Sequence, residues 1–137
     1  MDFSTINWLA LAVATVAAYA LGALWYSPIL FGKTWQKEVG LTEDDLKGVS
    51  MGKVMLKTFI ITFIMALGVG FMIYAHGDGI SSWQEGLHHG LYAGVFFAAM
   101  SMALNYTYQQ KSLKLWAIDS GYQVLFLGLI GAILGAW

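Results

Sequence analysis

Apolar residues run along this chain in four long blocks, not in the short alternating patterns of a water-soluble domain. From Ile6 to Tyr26 there is no charged residue. At about 1.5 Å per helical residue such a run covers the roughly 30 Å hydrocarbon core of a bilayer. Thr58 to Tyr74 forms the second block, and Lys53 and Lys57 just before it can send their ammonium groups to the headgroups while their stems stay in lipid, so this helix is expected from about Met51. Leu87 to Tyr106 is the third block, and Leu115 to Trp137 the fourth, interrupted only by Asp119. Backbone groups in lipid must pair within their own segment, which makes these runs helices and not open strands. The pattern predicts an all-α integral membrane bundle, one domain of four transmembrane helices at about 5–27, 51–75, 83–108 and 113–137.

The connections carry their own signals. Pro28 pushes Ser27 out of the helical region and should end the first helix; Ile29, Leu30, Phe31 and Trp35 then predict a short amphipathic segment along the inner surface. Thr42 followed by Glu43, Asp44 and Asp45 reads as the N-cap and acidic first turn of a short cytoplasmic helix. Ser82-Trp83-Gln84-Glu85 is a capping box opening the third helix, and His76-Gly77-Asp78-Gly79 is turn chemistry for the outer loop.

Composition sharpens this picture. Of 137 residues 58% are hydrophobic and 11% charged, against about 25% charged in soluble domains. The seven basic residues are all Lys and the formal charge is −1, so there is no basic stripe for nucleic acid. The chain has no Cys, which removes disulfides, thiolate chemistry and Cys-based metal sites. All seven Lys fall in the first and third connections, with their flanks. Basic residues are retained on the cytoplasmic side, so both termini are expected outside, in the bacterial inner membrane. A cleaved signal peptide fits poorly, because Asp2 is the only charge before the first helix. Trp8, Trp83 and Trp137 fall at predicted outer ends and Trp25, Trp35 and Trp116 at inner ends, matching two aromatic belts.

Small residues recur at four-residue spacing: Gly86, Gly90, Gly94 and Ala98 in the third helix form a glycine zipper, and Ala10, Ala14, Ala18 and Gly22 repeat the pattern in the first. Gly131 and Gly135, with Gly128 one turn earlier, do so in the fourth. The first and third helices, which cross in the same direction, are expected to pack together. Surplus small faces point to a homo-oligomer, most simply a dimer, or to a larger membrane partner. A faint internal repeat relates Ala23-Leu24-Trp25-Tyr26-Ser27 to Ala103-Leu104-Asn105-Tyr106-Thr107, and Lys33-Thr34-Trp35 to Lys114-Leu115-Trp116.

The block Trp25-Tyr26-Ser27-Pro28 to Phe31-Gly32-Lys33-Thr34-Trp35 carries a resemblance. Together with Asn7, Asn105-Tyr106 and Asp119-Ser120-Gly121-Tyr122 it resembles the bacterial domain of unknown function 1761 family, over essentially the whole chain. The resemblance implies a small integral membrane protein with four helices. It transfers no activity, because the family is named for lacking one.

Asp119 is the only acidic residue inside a predicted span, and intramembrane carboxylates are expensive enough to be functional candidates. The expected topology gathers Asn105 and Gln109, Lys57 and Lys53, Tyr26 and Gln123 around it as an inner-side polar cluster. Such a cluster either locks the helix ends or holds a proton or cation. On the outer side, Glu85, His88 and His89, with His76 and Asp78 nearby, include one Glu-x-x-His spacing. A diiron bundle needs that motif on two helices, so no metal site is favoured and no cofactor is expected. Ser101 and Ser120 have no His on their own side of the membrane, and no Walker-type or dinucleotide-type glycine loop is present. The composition therefore favours an accessory or structural membrane protein. A small-molecule or proton-coupled transport module using Asp119 ranks second, and a membrane enzyme acting on a lipid or quinone third.

Overall fold

The computed structural model describes residues 6–75, 80 and 82–137, and the elements it describes are all helical. Four helices are long and apolar enough to cross a membrane: α1 (Trp8–Trp25), α4 (Met51–Tyr74), α5 (Trp83–Tyr108) and α6 (Leu113–Gly135). Between the first two lie the short helices α2 (Gly32–Val39) and α3 (Glu43–Lys47). Asp2, the outer turn at His76-Gly77-Asp78-Gly79 and the expected start of the first helix near residue 5 lie outside the described residues.

Local chemistry sets the helix ends. Asn7 Oδ1 accepts the Ala10 N–H at 3.1 Å, so α1 starts at Trp8. It stops before Pro28, where the Ser27 hydroxyl turns back to the Leu24 carbonyl. Thr42 and Asp45 form a reciprocal capping box at α3, and the bonds donated by the Thr42 hydroxyl and N–H hold the Asp45 carboxyl below the usual carboxylate range. The Ser82 hydroxyl accepts from the Glu85 N–H at the head of α5. Between α5 and α6 the chain turns in four residues, with the Lys111 N–H reaching the Tyr106 carbonyl and the Gln110 N–H the Thr107 carbonyl. This is a Schellman closure in which Gln110, at φ 53°, takes the left-handed position usually given to glycine.

The bundle is organised around α6. A helix that is apolar all round is a buried one, and Phe126, Leu127, Ile130 and Leu134 of α6 are buried against Ala10, Leu11, Ala14 and Ala18 of α1 and Ala66, Val69 and Ile73 of α4. On its other side α6 meets α5 backbone to backbone. A Cβ added at Gly86 would fall 2.1 Å from the Gly131 carbonyl oxygen, and one at Gly90 would fall 2.1 Å from that of Leu127. The expected pairing of the first and third helices is therefore corrected: the glycine groove of α5 is filled by α6, whose own glycines complement it, while the alanine face of α1 also packs on α6.

A second correction concerns Ala98. Residues Ala93–Ala99 of α5 form a π-helical segment, which inserts one extra residue into the helical repeat. The buried stripe Gly86, Gly90, Gly94 then continues at Ala99, 4% exposed, while Ala98 lines an open groove instead. The other small faces named in the sequence are occupied within the chain, whereas Gly68 of α4, which belongs to none of them, has open space where a side chain would be.

These contacts predict a sharp contrast between glycines. Gly86→Ala or Gly90→Ala should prevent stable folding in detergent, because a methyl group would have to displace backbone and not a flexible side chain. Gly68→Ala should leave the thermal midpoint unchanged or slightly higher, since it meets nothing and improves helix propensity by up to about 1 kcal/mol. Thermal unfolding followed by helical circular dichroism checks both.

Candidate functional site

Asp119 sits in the second turn of α6, at the end of the bundle that carries the lysines, and is 6% exposed. Its two carboxylate oxygens have two different phenol donors. Tyr26, which caps α1, donates to Oδ1 at 2.8 Å, and Tyr106, near the end of α5, donates to Oδ2 at 2.6 Å. One carboxylate therefore ties together α1, α5 and α6.

Aromatic rings and indoles close the surroundings. The Tyr26 ring packs edge-on against Trp35 of α2 and against Tyr122 of α6, at centroid distances of 5.5 and 5.2 Å. Tyr122 continues to Phe126 in the core at 5.3 Å. Trp25 Nε1 donates to the Ile118 carbonyl at 3.1 Å, and Trp116 Nε1 donates to the Ala99 carbonyl at 3.0 Å. The tryptophans expected as an interfacial belt at this end thus also brace one helix against the next. By contrast Trp8, Trp83 and Trp137, at the opposite end, are more than half exposed.

Of the residues expected around Asp119, the structure brings Tyr26 into contact. Asn105 and Lys57 are exposed, and neither Asn105 nor Lys57 reaches the carboxylate. Gln123 lies one turn along α6, with its side-chain oxygen buried and without a hydrogen-bond partner among the described residues. The residue that sequence reasoning passed over is Tyr106, and the reason is the π segment. An uninterrupted α-helix running from Gly94 puts Ala98 and then Asn105 on the face toward α6. One inserted residue moves that face to Ala99 and Tyr106. The internal repeat held the missing signal, because it places Tyr106 opposite Tyr26, and these two equivalent tyrosines grip the same carboxylate.

At the other end, Glu85 and His88 are exposed on the first turns of α5, and His89 Nδ1 lies 2.8 Å from the Glu85 carbonyl oxygen. Among the described residues no three His, Asp or Glu side chains converge on a point that could hold a metal ion. His76 and Asp78 lie outside the described residues.

A family model described as "Protein of unknown function (DUF1761)" matches residues 9–135, nearly the whole chain. No curated protein and no solved structure matches it.

The clamp predicts graded losses. Tyr26→Phe and Tyr106→Phe each remove one bond to a charged acceptor and should each lower stability by about 1.5–3 kcal/mol. Asp119→Asn keeps the shape and can accept from one phenol while donating to the other, so it should lose less than Asp119→Leu, which orphans both hydroxyls. In a double-mutant cycle, adding Tyr106→Phe to Asp119→Leu should cost little further. Additive losses in that cycle would contradict the clamp.

Proposed function

We propose that this chain, which belongs to the DUF1761 family, is an accessory or structural protein of the bacterial inner membrane, with no turnover chemistry of its own. The observation that carries this reading is the use made of Asp119, the one buried carboxylate among the described residues. Both Asp119 oxygens accept from phenols of two other helices, so the group that a transport or catalytic role would need serves to hold the bundle closed. The distribution of Lys orients both termini outside, with α2 and α3 in the cytoplasm. Self-association, most simply a two-fold dimer, belongs to the same reading. With the glycine faces of α5 and α6 used inside the chain, the surface left for a second copy or a larger membrane partner includes that of α4, whose residues 51–61 are all exposed.

One observation favours a second reading. Asp119 has no Lys or His within ion-pair distance among the described residues, and an intramembrane carboxylate balanced only by neutral donors can exchange a proton without breaking a salt bridge. In that reading the chain is a small proton-coupled transport module.

Two measurements decide between these readings and test the topology. Single cysteines at Lys47 and Lys111 should be shielded from an impermeant thiol reagent applied outside intact cells, while cysteines at Asp2 and Asp78 should react. Reaction at Lys47 would overturn the orientation. In proteoliposomes the accessory reading predicts no proton flux above that of empty vesicles. A flux abolished by Asp119→Asn in a protein of unchanged thermal stability would establish the transport reading instead. Monomers of native size in mild detergent at all concentrations would remove the dimer.

A further inference from the structure

The turn between α5 and α6 shapes a groove that the bundle itself does not use. It has a volume of about 340 Å³ and lies between the end of α5 and the start of α6. Met100, Ala103, Leu113 and Trp116 give it apolar walls, and Lys111 stands at the mouth. Met100 and Leu113 are 46% and 77% exposed, so the walls open sideways to whatever surrounds the bundle. In a membrane that surrounding is acyl chain.

Lys111 differs from Lys47 and Lys114 in having no carboxylate partner among the described residues, and it lines this groove. Lys47 is paired with Asp44, and Lys114 lies 3.7 Å from Glu38, whose carboxylate also accepts from the Ser112 hydroxyl. No carboxylate lies within ion-pair distance of Lys111 among the described residues. The backbone that presents it is fixed and strained. Gln110 holds a left-handed conformation that a residue with a Cβ adopts at a cost, and the Lys111 N–H is tied to the Tyr106 carbonyl. The backbone therefore holds Lys111 beside an apolar slot that Trp116 also lines.

From this juxtaposition we infer that the α5–α6 turn is a binding site for an anionic phospholipid, its phosphate on Lys111 and one acyl chain along Met100, Ala103 and Trp116. Charge complementarity selects the occupant. A single unpaired ammonium attracts a headgroup of net negative charge, and a choline headgroup would bring a second cation beside it. The Glu38 carboxylate, which meets the adjacent Ser112, is already engaged by Lys114 and does not pair with Lys111. Tyr106 lines the same groove while its hydroxyl donates to Asp119, so a lipid seated there covers one jaw of the clamp. The inference needs only the membrane setting; it is independent of the accessory reading and of which leaflet the turn faces.

The test uses the full chain in detergent, with phosphatidylglycerol and phosphatidylcholine of matched acyl chains added in turn and bound lipid counted by native mass spectrometry. Phosphatidylglycerol should be retained about fivefold more than phosphatidylcholine, the ratio expected for one ammonium near a charged headgroup. Lys111→Gln, an exposed change that leaves the fold intact, should bring the two lipids level. Ala103→Leu, which fills the slot, should reduce retention of both. Lys47→Gln, at a lysine whose ammonium already pairs with Asp44, should change neither. Equal retention of the two lipids by the unaltered protein, or undiminished phosphatidylglycerol on the Lys111→Gln variant, would overturn the site. Displacement of the lipid by inorganic phosphate at matched concentration would show a free-anion site and overturn the lipid assignment. None of these outcomes bears on proton flux or on thiol labelling, so failure here is distinguishable from failure of the functional reading.

Discussion

The close approach of α5 and α6 is the constraint from which the rest of the architecture follows. In lipid the hydrophobic effect no longer drives one apolar helix against another, and association depends on van der Waals contact, weak Cα–H···O bonds and interhelical hydrogen bonds. Gly86, Gly90 and Gly131 let the two backbones come so near that any Cβ at these positions would strike a carbonyl. That contact places α6 where α1 and α4 can pack on its remaining faces through Ala14, Ala18 and Ala66. It also fixes the level at which Asp119 meets the end of α5.

A buried carboxylate without a cation is costly unless hydrogen bonds stabilise the charged form. Here the donors are two phenols from two different helices, and the geometry makes the arrangement cooperative. Neither Tyr26 nor Tyr106 contributes fully unless both α1 and α5 are in place on α6. Charge-assisted bonds are about twice as strong as neutral ones, and each of these joins elements distant in sequence. Trp25 and Trp116 repeat the theme with indole N–H groups bonded to backbone carbonyls across helices. The lysine-bearing end is thus held by specific polar bonds, while the middle of the bundle is held by shape.

How much of this was legible varies with the kind of signal. The four spans, the stop before Pro28 and the caps at Thr42 and Ser82 rest on local chemistry, and the structure has them in place. Helix pairing was not legible, because lipid removes the polar face that normally tells which side of a helix is buried. The glycine spacing in α5 identified a close-packing face without naming its partner. Asn105 was expected where Tyr106 stands because extrapolating a helical face assumes a constant repeat. The π segment at Ala93–Ala99 breaks that repeat within a run of small and aromatic residues that carries no breaker. Asp119 itself was legible because charge inside an apolar run is rare, and the correspondence of Tyr26 with Tyr106 was visible as a repeat whose meaning only the geometry supplies.

The helices are unequally buried. Half of the spanning window of α6 is buried, against 28% for α1 and α4 and 17% for α5. In the first half of α4 the Met55 carbonyl accepts from the Tyr19 hydroxyl at 3.2 Å, the Tyr19 ring packs edge-on against Phe59, and Thr62 is buried. Farther along, α4 and α5 stand apart around a groove of about 740 Å³ whose floor includes Gly68 and Ser101. None of the bonds to Asp119 comes from α4, so the clamp joins α1, α5 and α6 and leaves α4 outside it. A bundle built this way combines two kinds of contact. The polar lock joins α1, α5 and α6 by specific bonds, while α4 packs through Ala66, Val69 and Ile73 by shape.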